Sequence, residues 1–106
     1  MDKDIIIERE AANDGQTVNL FYDDMTGVYI AYGLSAYYVT MVTNPFVSYS
    51  ETLGMPLVLL KRGHILLLRQ AMKKVEHVQK GYYVFRMRMY IGYAGYEKWK
   101  QEILQP

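Results

Sequence analysis

Three features of this 106-residue sequence predict a single-domain α+β fold built on a mostly antiparallel sheet. Short runs of strand formers alternate with period two and are parted by turns rich in Gly, Asp and Asn. Eleven tyrosines, against three phenylalanines and one tryptophan, suit half-buried strands that carry an apolar ring beneath a polar tip. One segment in the second half follows a helical stripe instead. The expected architecture is an antiparallel sheet of five to six strands with a three-stranded meander over 17–43, and two helices (about 63–79 and 96–104) packed mainly on one face.

Taken in order, Asp4-Ile5-Ile6-Ile7-Glu8-Arg9 reads as a short strand, because three β-branched residues stand in a row. Asn13-Asp14-Gly15 supplies a turn. From Thr17 to Asp23, Val18, Leu20 and Tyr22 share one face and Asn19 and Phe21 the other. Asp23-Asp24-Met25-Thr26-Gly27 is a hairpin loop with its glycine late, where a type I turn plus bulge wants it. Val28, Ile30 and Tyr32 return along one face, Gly33-Leu34-Ser35 turns the chain, and residues 36–43 form the third strand of the meander.

Asn44-Pro45 breaks that unit. Phe46-Val47-Ser48-Tyr49 fits a fourth strand or an ordered loop. Leu57-Val58-Leu59-Leu60 is apolar at every position, which suits a buried strand or the first turn of a helix starting at Pro56. Gly63 would cost an unbroken helix about 1 kcal/mol relative to Ala, which favours an extended lead-in and then a helix over about 63–79. Its stripe is Ile65, Leu68, Met72, Val75 and Gln79, and Arg69, Lys73, Lys74 and Glu76 lie outside. Gly81 fits the position that ends such a helix, with Lys80 near the negative end of its dipole. Residues 82–91 form the longest strand: Tyr83, Phe85, Met87, Met89 and Ile91 face the core, while Tyr82, Val84, Arg86, Arg88 and Tyr90 face solvent or a partner. Gly92-Tyr93-Ala94-Gly95 then leads into the last helix, with Trp99 and Ile103 inside and Lys98 and Lys100 outside.

A chain of this length makes one domain and buries about two-thirds of its unfolded surface, so it needs no covalent staples. It has no cysteine, which excludes disulfides and thiolate metal sites. Met1-Asp2-Lys3-Asp4 is unlike a secretory leader, and no apolar run approaches the ~20 residues that span a bilayer. A cytoplasmic protein without membrane contact is the expectation. The net charge of +1 is distributed unevenly: residues 1–55 hold eight acids and two bases (−6), residues 56–106 ten bases and three acids (+7). Such a split can steer two copies together.

Chemistry-bearing motifs are sparse. His64 and His77 stand thirteen apart, not at the i,i+4 spacing of two ligands on one helix face. Adjacent Asp23 and Asp24 suit a turn, where their carboxylates accept backbone hydrogen bonds. Gly92-Tyr93-Ala94-Gly95 lacks the third glycine of a dinucleotide fingerprint and the Gly-Lys-Ser/Thr of a P-loop. Neither a cofactor nor a metal is expected. The basic segment is more informative: Lys61, Arg62, Arg69, Lys73, Lys74 and Lys80 face Glu76 alone, next in sequence to Tyr82, Arg86, Arg88 and Tyr90. Arginine for phosphate with tyrosine for stacking is the composition of single-strand nucleic-acid surfaces. The eight aliphatics of 57–60 and 65–68 exceed one helix stripe, which makes a homodimer through this region plausible.

The first functional expectation is therefore a small non-enzymatic binding or protein-interaction module, homo-oligomeric, working through a Tyr/Arg sheet face. The candidate face is Tyr82, Arg86, Arg88, Tyr90, Arg62, Arg69 and Lys73. A single-stranded nucleic-acid binder using the same residues is the alternative. An enzyme or metal protein would require His64, His77 or the Asp23/Asp24 pair to converge.

Overall fold

The computed structural model describes residues 3–79 and 81–105. In chain order the elements are α1 (Lys3–Ala11), β1 (Thr17–Asp23), β2 (Val28–Tyr32), α2 (Gly33–Thr40), β3 (Phe46–Ser50), β4 (Met55–Leu60), α3 (Arg62–Ala71), β5 (Lys73–Gln79), β6 (Tyr82–Arg86) and α4 (Tyr96–Leu104). The six strands form one sheet in the order β3-β4-β2-β1-β6-β5, and every neighbouring pair is antiparallel. The α+β class, the antiparallel sheet and the last helix are as the sequence predicts.

Period-two alternation sets the two faces. Val18 and Leu20 of β1, Ala31 of β2, Val58 and Leu60 of β4 and Phe85 of β6 point into the main core. There they meet Leu34, Ala36, Tyr38 and Val39 of α2, Ile65 and Leu68 of α3, and Trp99 of α4. The opposite face carries Phe21 and Tyr82, covered by Ile6 of α1. Three helices thus lie on one face and one short helix on the other.

Four expectations are corrected. Residues 4–9 are helical, because Ile6 reaches Phe21 and Tyr82 only from a helix laid across the sheet, and Glu8, Arg9, Glu10 and Ala11 are good helix formers. Residues 36–43 are not the third strand of a meander: α2 runs to Thr40, and β2 takes β4 as its second neighbour. Six of the eight α2 residues are buried, so its sequence is apolar all round and shows no helical period. The helix from Arg62 stops at Ala71, Met72 is extended, and Lys73–Gln79 pairs with β6 as a hairpin. Gly81 therefore sits in a hairpin turn with φ +81, not at a helix end; Lys80 lies outside the described residues. Finally, β6 ends at Arg86 because β1 begins at Thr17 and offers no partner beyond it. The chain then latches onto the preceding loop: Met87 donates to the Gln16 carbonyl, and Ile91 and Gly92 donate to that of Gly15.

The two open questions resolve as strands. Residues 46–50 are β3, and β4 alternates with Pro56, Val58 and Leu60 inward. No helix among the described residues is long and apolar enough to cross a membrane.

Candidate functional site

A hollow of about 580 Å³ opens between α3 and the end of the β1–β2 hairpin. Tyr22 and Tyr29 form its floor, with Gly27 at the turn; Arg62, Ile65, Leu66 and Arg69 form its wall. Each position follows from local structure. Tyr22 and Tyr29 are directly paired across β1 and β2, so their rings stand on the same face, with centroids 5.0 Å apart and planes tilted by 55°. Tyr83 extends the row, edge-on to Tyr29 at 5.8 Å. On α3, positions 62, 65, 66 and 69 fall on one side of the helix, which brings Arg62 and Arg69 to the same hollow as the two tyrosines. Ile65 is anchored in the core, while Leu66 is exposed beside it. Burial, with Tyr83 and Tyr22 alongside, pushes the Tyr29 phenol up, so its ring remains neutral and able to stack or donate. Arg62 and Arg69 are exposed and make no ion pair among the described residues.

The candidate residues named from sequence do not share one face. Arg62 and Arg69 meet at this hollow, and Lys73 lies exposed just beyond the end of the same helix. Tyr82 is corrected from the open face to the interior: it is 2% exposed, stacked on Phe21 at 4.8 Å, and its hydroxyl donates to Asn19 Oδ1 at 2.8 Å. The cause is α1, read as a strand, which covers this end of the sheet and lays Arg9 over the Tyr82 ring at 5.4 Å. Arg86 is bound to Asp14 at 2.9 Å and to Gln16 at 3.2 Å. Burial pushes the Asp14 carboxyl up, but hydrogen bonds from Thr17, Arg86 and the Gln16 amide outweigh it and leave it below its usual range. Arg88 Nε donates to the Ala71 carbonyl, placing a cation at the negative end of α3. Tyr90 is exposed, but its ring packs against Gly15 and Gly92. Met89, expected inside, is 68% exposed.

Tyr22 and Tyr29 were missed as site residues. The signal was their facing position across a predicted hairpin, but without the hairpin register neither could be set against α3. The aliphatic excess also divides: Val58, Leu60, Ile65 and Leu68 fill this chain's own core, and Leu66 and Leu67 are exposed.

The remaining motifs are accounted for locally. His64 Nδ1 accepts from the Lys61 amide at 3.0 Å in the first turn of α3, and His77 lies on β5. Asp23 accepts from the Met25 amide and the Thr26 hydroxyl inside its turn. Gly92–Gly95 is a turn leading into α4, with Gly95 at φ +84 as its first cap. Among the described residues no three His, Asp or Glu side chains lie close enough to hold a metal ion.

A second polar cluster lies between α1, β1 and α2. Glu10 Oε2 accepts from the Ser35 hydroxyl at 2.6 Å and from Asn19 Nδ2 at 2.7 Å, and Oε1 accepts from the Ser35 amide at 3.1 Å. Burial pushes the Glu10 carboxyl up, against the pull of these hydrogen bonds. Every buried side-chain polar atom among the described residues has a partner, so the cluster is closed on itself. It holds α1 to the start of α2 and presents no free group to a ligand. No protein-family model, no curated protein and no solved structure matches this chain.

Proposed function

We propose that this chain is a non-enzymatic binding module that takes single-stranded nucleic acid in the Tyr22/Tyr29 hollow. The observation that carries the reading is the pairing of a tyrosine floor with two arginines, Arg62 and Arg69, on the helix beside it, neither of which makes an ion pair among the described residues. Unstacked bases lie on aromatic faces, while guanidiniums neutralise the phosphates that follow the strand. Lys61 and Lys73, exposed at the two ends of α3, continue the basic track. A net charge of only +1 makes this a local, short-site affinity, not the long-range attraction of a strongly basic protein.

The test is fluorescence anisotropy of labelled single-stranded oligonucleotides with the wild-type chain, Arg62→Ala/Arg69→Ala and Tyr29→Leu, across a salt series. Binding that weakens with salt is expected, and the double arginine variant should lower the log–log salt slope by about 1.4, two phosphates at about 0.7 each. Tyr29→Leu should cost about 1–3 kcal/mol, the worth of one stacked base, without changing that slope. Absence of binding at low salt would sink the reading.

A further inference from the structure

We infer that the chain self-associates through its β3 edge, as a two-fold dimer in which β3 of each copy pairs antiparallel with β3 of the other. The two edges of the sheet are built differently. At one end, β5 pairs with β6 through two register shifts, between Lys74 and Glu76 and between His77 and Gln79. Its sequence, Lys-Lys-Val-Glu-His-Val-Gln, places four ionisable residues on the edge. Bulges and charges are the devices by which edge strands avoid pairing with another chain. At the other end, β3 has neither. Its five residues, Phe-Val-Ser-Tyr-Ser, pair with β4 without a break from Phe46↔Leu59 to Ser50↔Met55. No strand among the described residues covers its outer side. The Phe46 ring stands 66% exposed beside a hollow of about 440 Å³ shared with Val28 and Leu59.

The occupant is a second copy because this strand complements itself. A two-fold axis at Ser48 sets Ser48 against Ser48, Val47 against Tyr49 and Phe46 against Ser50. The apolar pair falls on the core face, where Val47 packs against the main cluster, and no charge meets a like charge. The contact is isologous and closes on itself, so it yields a dimer and not a fibre. The two six-stranded sheets become one continuous sheet, and the exposed Phe46 gains a neighbour across the seam. This surface is distinct from the Tyr22/Tyr29 hollow, and the two can fail independently.

The experiment is sedimentation equilibrium of the full chain over a wide concentration range, with Ser48→Lys, Ser48→Asp and an equal mixture of the two. The wild type is expected to be a reversible dimer. Each single variant should dimerise at least about tenfold more weakly, because it places like charges face to face at the axis. The mixture should recover the dimer as a heterodimer, which a folding defect could not do. Amide exchange in residues 46–50 of the wild type, followed against concentration, gives a reading that needs no variant: protection there should rise with concentration. A wild type that stays monomeric to about 1 mM, where the association free energy is only about −4 kcal/mol, would overturn the inference. So would a dimer that Ser48→Lys leaves intact, or exchange at 46–50 that ignores concentration.

Discussion

At the scale of single residues, Glu10 ties α1 to both β1 and α2 through Asn19 and Ser35. It comes from the last turn of α1, yet it accepts the Ser35 amide at the start of α2, whose own preceding residue, Tyr32, makes no side-chain cap. Removing it in Glu10→Ala leaves the Ser35 amide and Asn19 Nδ2 short of an acceptor, at about 1–3 kcal/mol for each buried orphan. Urea unfolding should therefore report a loss of about 2 kcal/mol or more. Its pH dependence has a definite sign. Burial raises the folded-state pKa of Glu10 above the ordinary 4.5, so the folded chain holds this proton more tightly than the unfolded one. Its contribution is then fully present below about pH 4.5 and is lost as pH rises through the folded-state value. Unfolding curves across that range should show this component in the wild type and lack it in Glu10→Gln. Glu10→Gln should still be less stable than the wild type, since its amide would set a donor against the donors of Ser35 and Asn19. Gly15 is a second strict position. It has φ +85, and a Cβ there would stand 2.7 Å from the Tyr90 ring and 3.0 Å from Gly92 Cα. Gly15→Ala should cost about 2 kcal/mol from left-handed strain plus contact. Adding Tyr90→Ala should recover only the contact share, as a double-mutant cycle would measure.

At the scale of elements, legibility in the sequence tracks one-sided burial. The β1–β2 hairpin could be read because Val18, Leu20 and Tyr22 alternate with Asn19 and Phe21 and a turn signal follows. α4 could be read because only one of its faces packs. α2 could not: buried from Gly33 to Val39 save Tyr37, it keeps no period, and its Tyr-Tyr-Val-Thr is strand-forming by propensity. α1 misled in the opposite way, since three isoleucines favour a strand by propensity, while the tertiary packing buries Ile6, sets Ile5 partly against the same cluster and leaves Ile7 outside. Ile6 is buried against Phe21 and Tyr82, and Ile7 is 43% exposed. Ile6→Ala should therefore cost about 2–4 kcal/mol in urea unfolding, and Ile7→Ala less than about 1 kcal/mol. A strand in that place would present Ile5 and Ile7 together and make Ile7→Ala the costlier change. The same misreading hid the site. With α1 missing from its place, the row of Tyr82 and Arg86 looked open, and the half of the basic set that does line a hollow, Arg62 and Arg69, had no aromatic partner until Tyr22 and Tyr29 were set opposite each other.

At the scale of the whole molecule, the charge split in the sequence is folded away by topology. The first half supplies α1, β1, β2, α2 and β3, the second β4, α3, β5, β6 and α4. In the sheet these interleave: β4 lies between β3 and β2, and β1 lies against β6. The acidic and basic halves therefore meet along three strand pairings instead of forming two faces, and Asp14–Arg86 is an ion pair drawn across one of them. Neither half alone holds more than two adjacent strands, too few for an independently stable sheet. A chain divided in the turn after β3, into residues 1–53 and 54–106, should give two fragments that are unfolded by far-UV circular dichroism when apart. Mixed in equal amounts, they should recover the native spectrum, because every lost pairing is intermolecular and the opposed charges of −6 and +7 bring the pieces together. Their association should weaken from low salt to about 0.5 M, where screening reaches only a few ångströms. If the fragment 54–106 folds by itself, the β5–β6 hairpin and α3 form a unit that does not need β1, and the seam between β1 and β6 is a docking contact between two preformed parts. If neither folds and mixing fails, order of synthesis matters: β4 must then enter between β3 and β2 before the strands that flank it have closed.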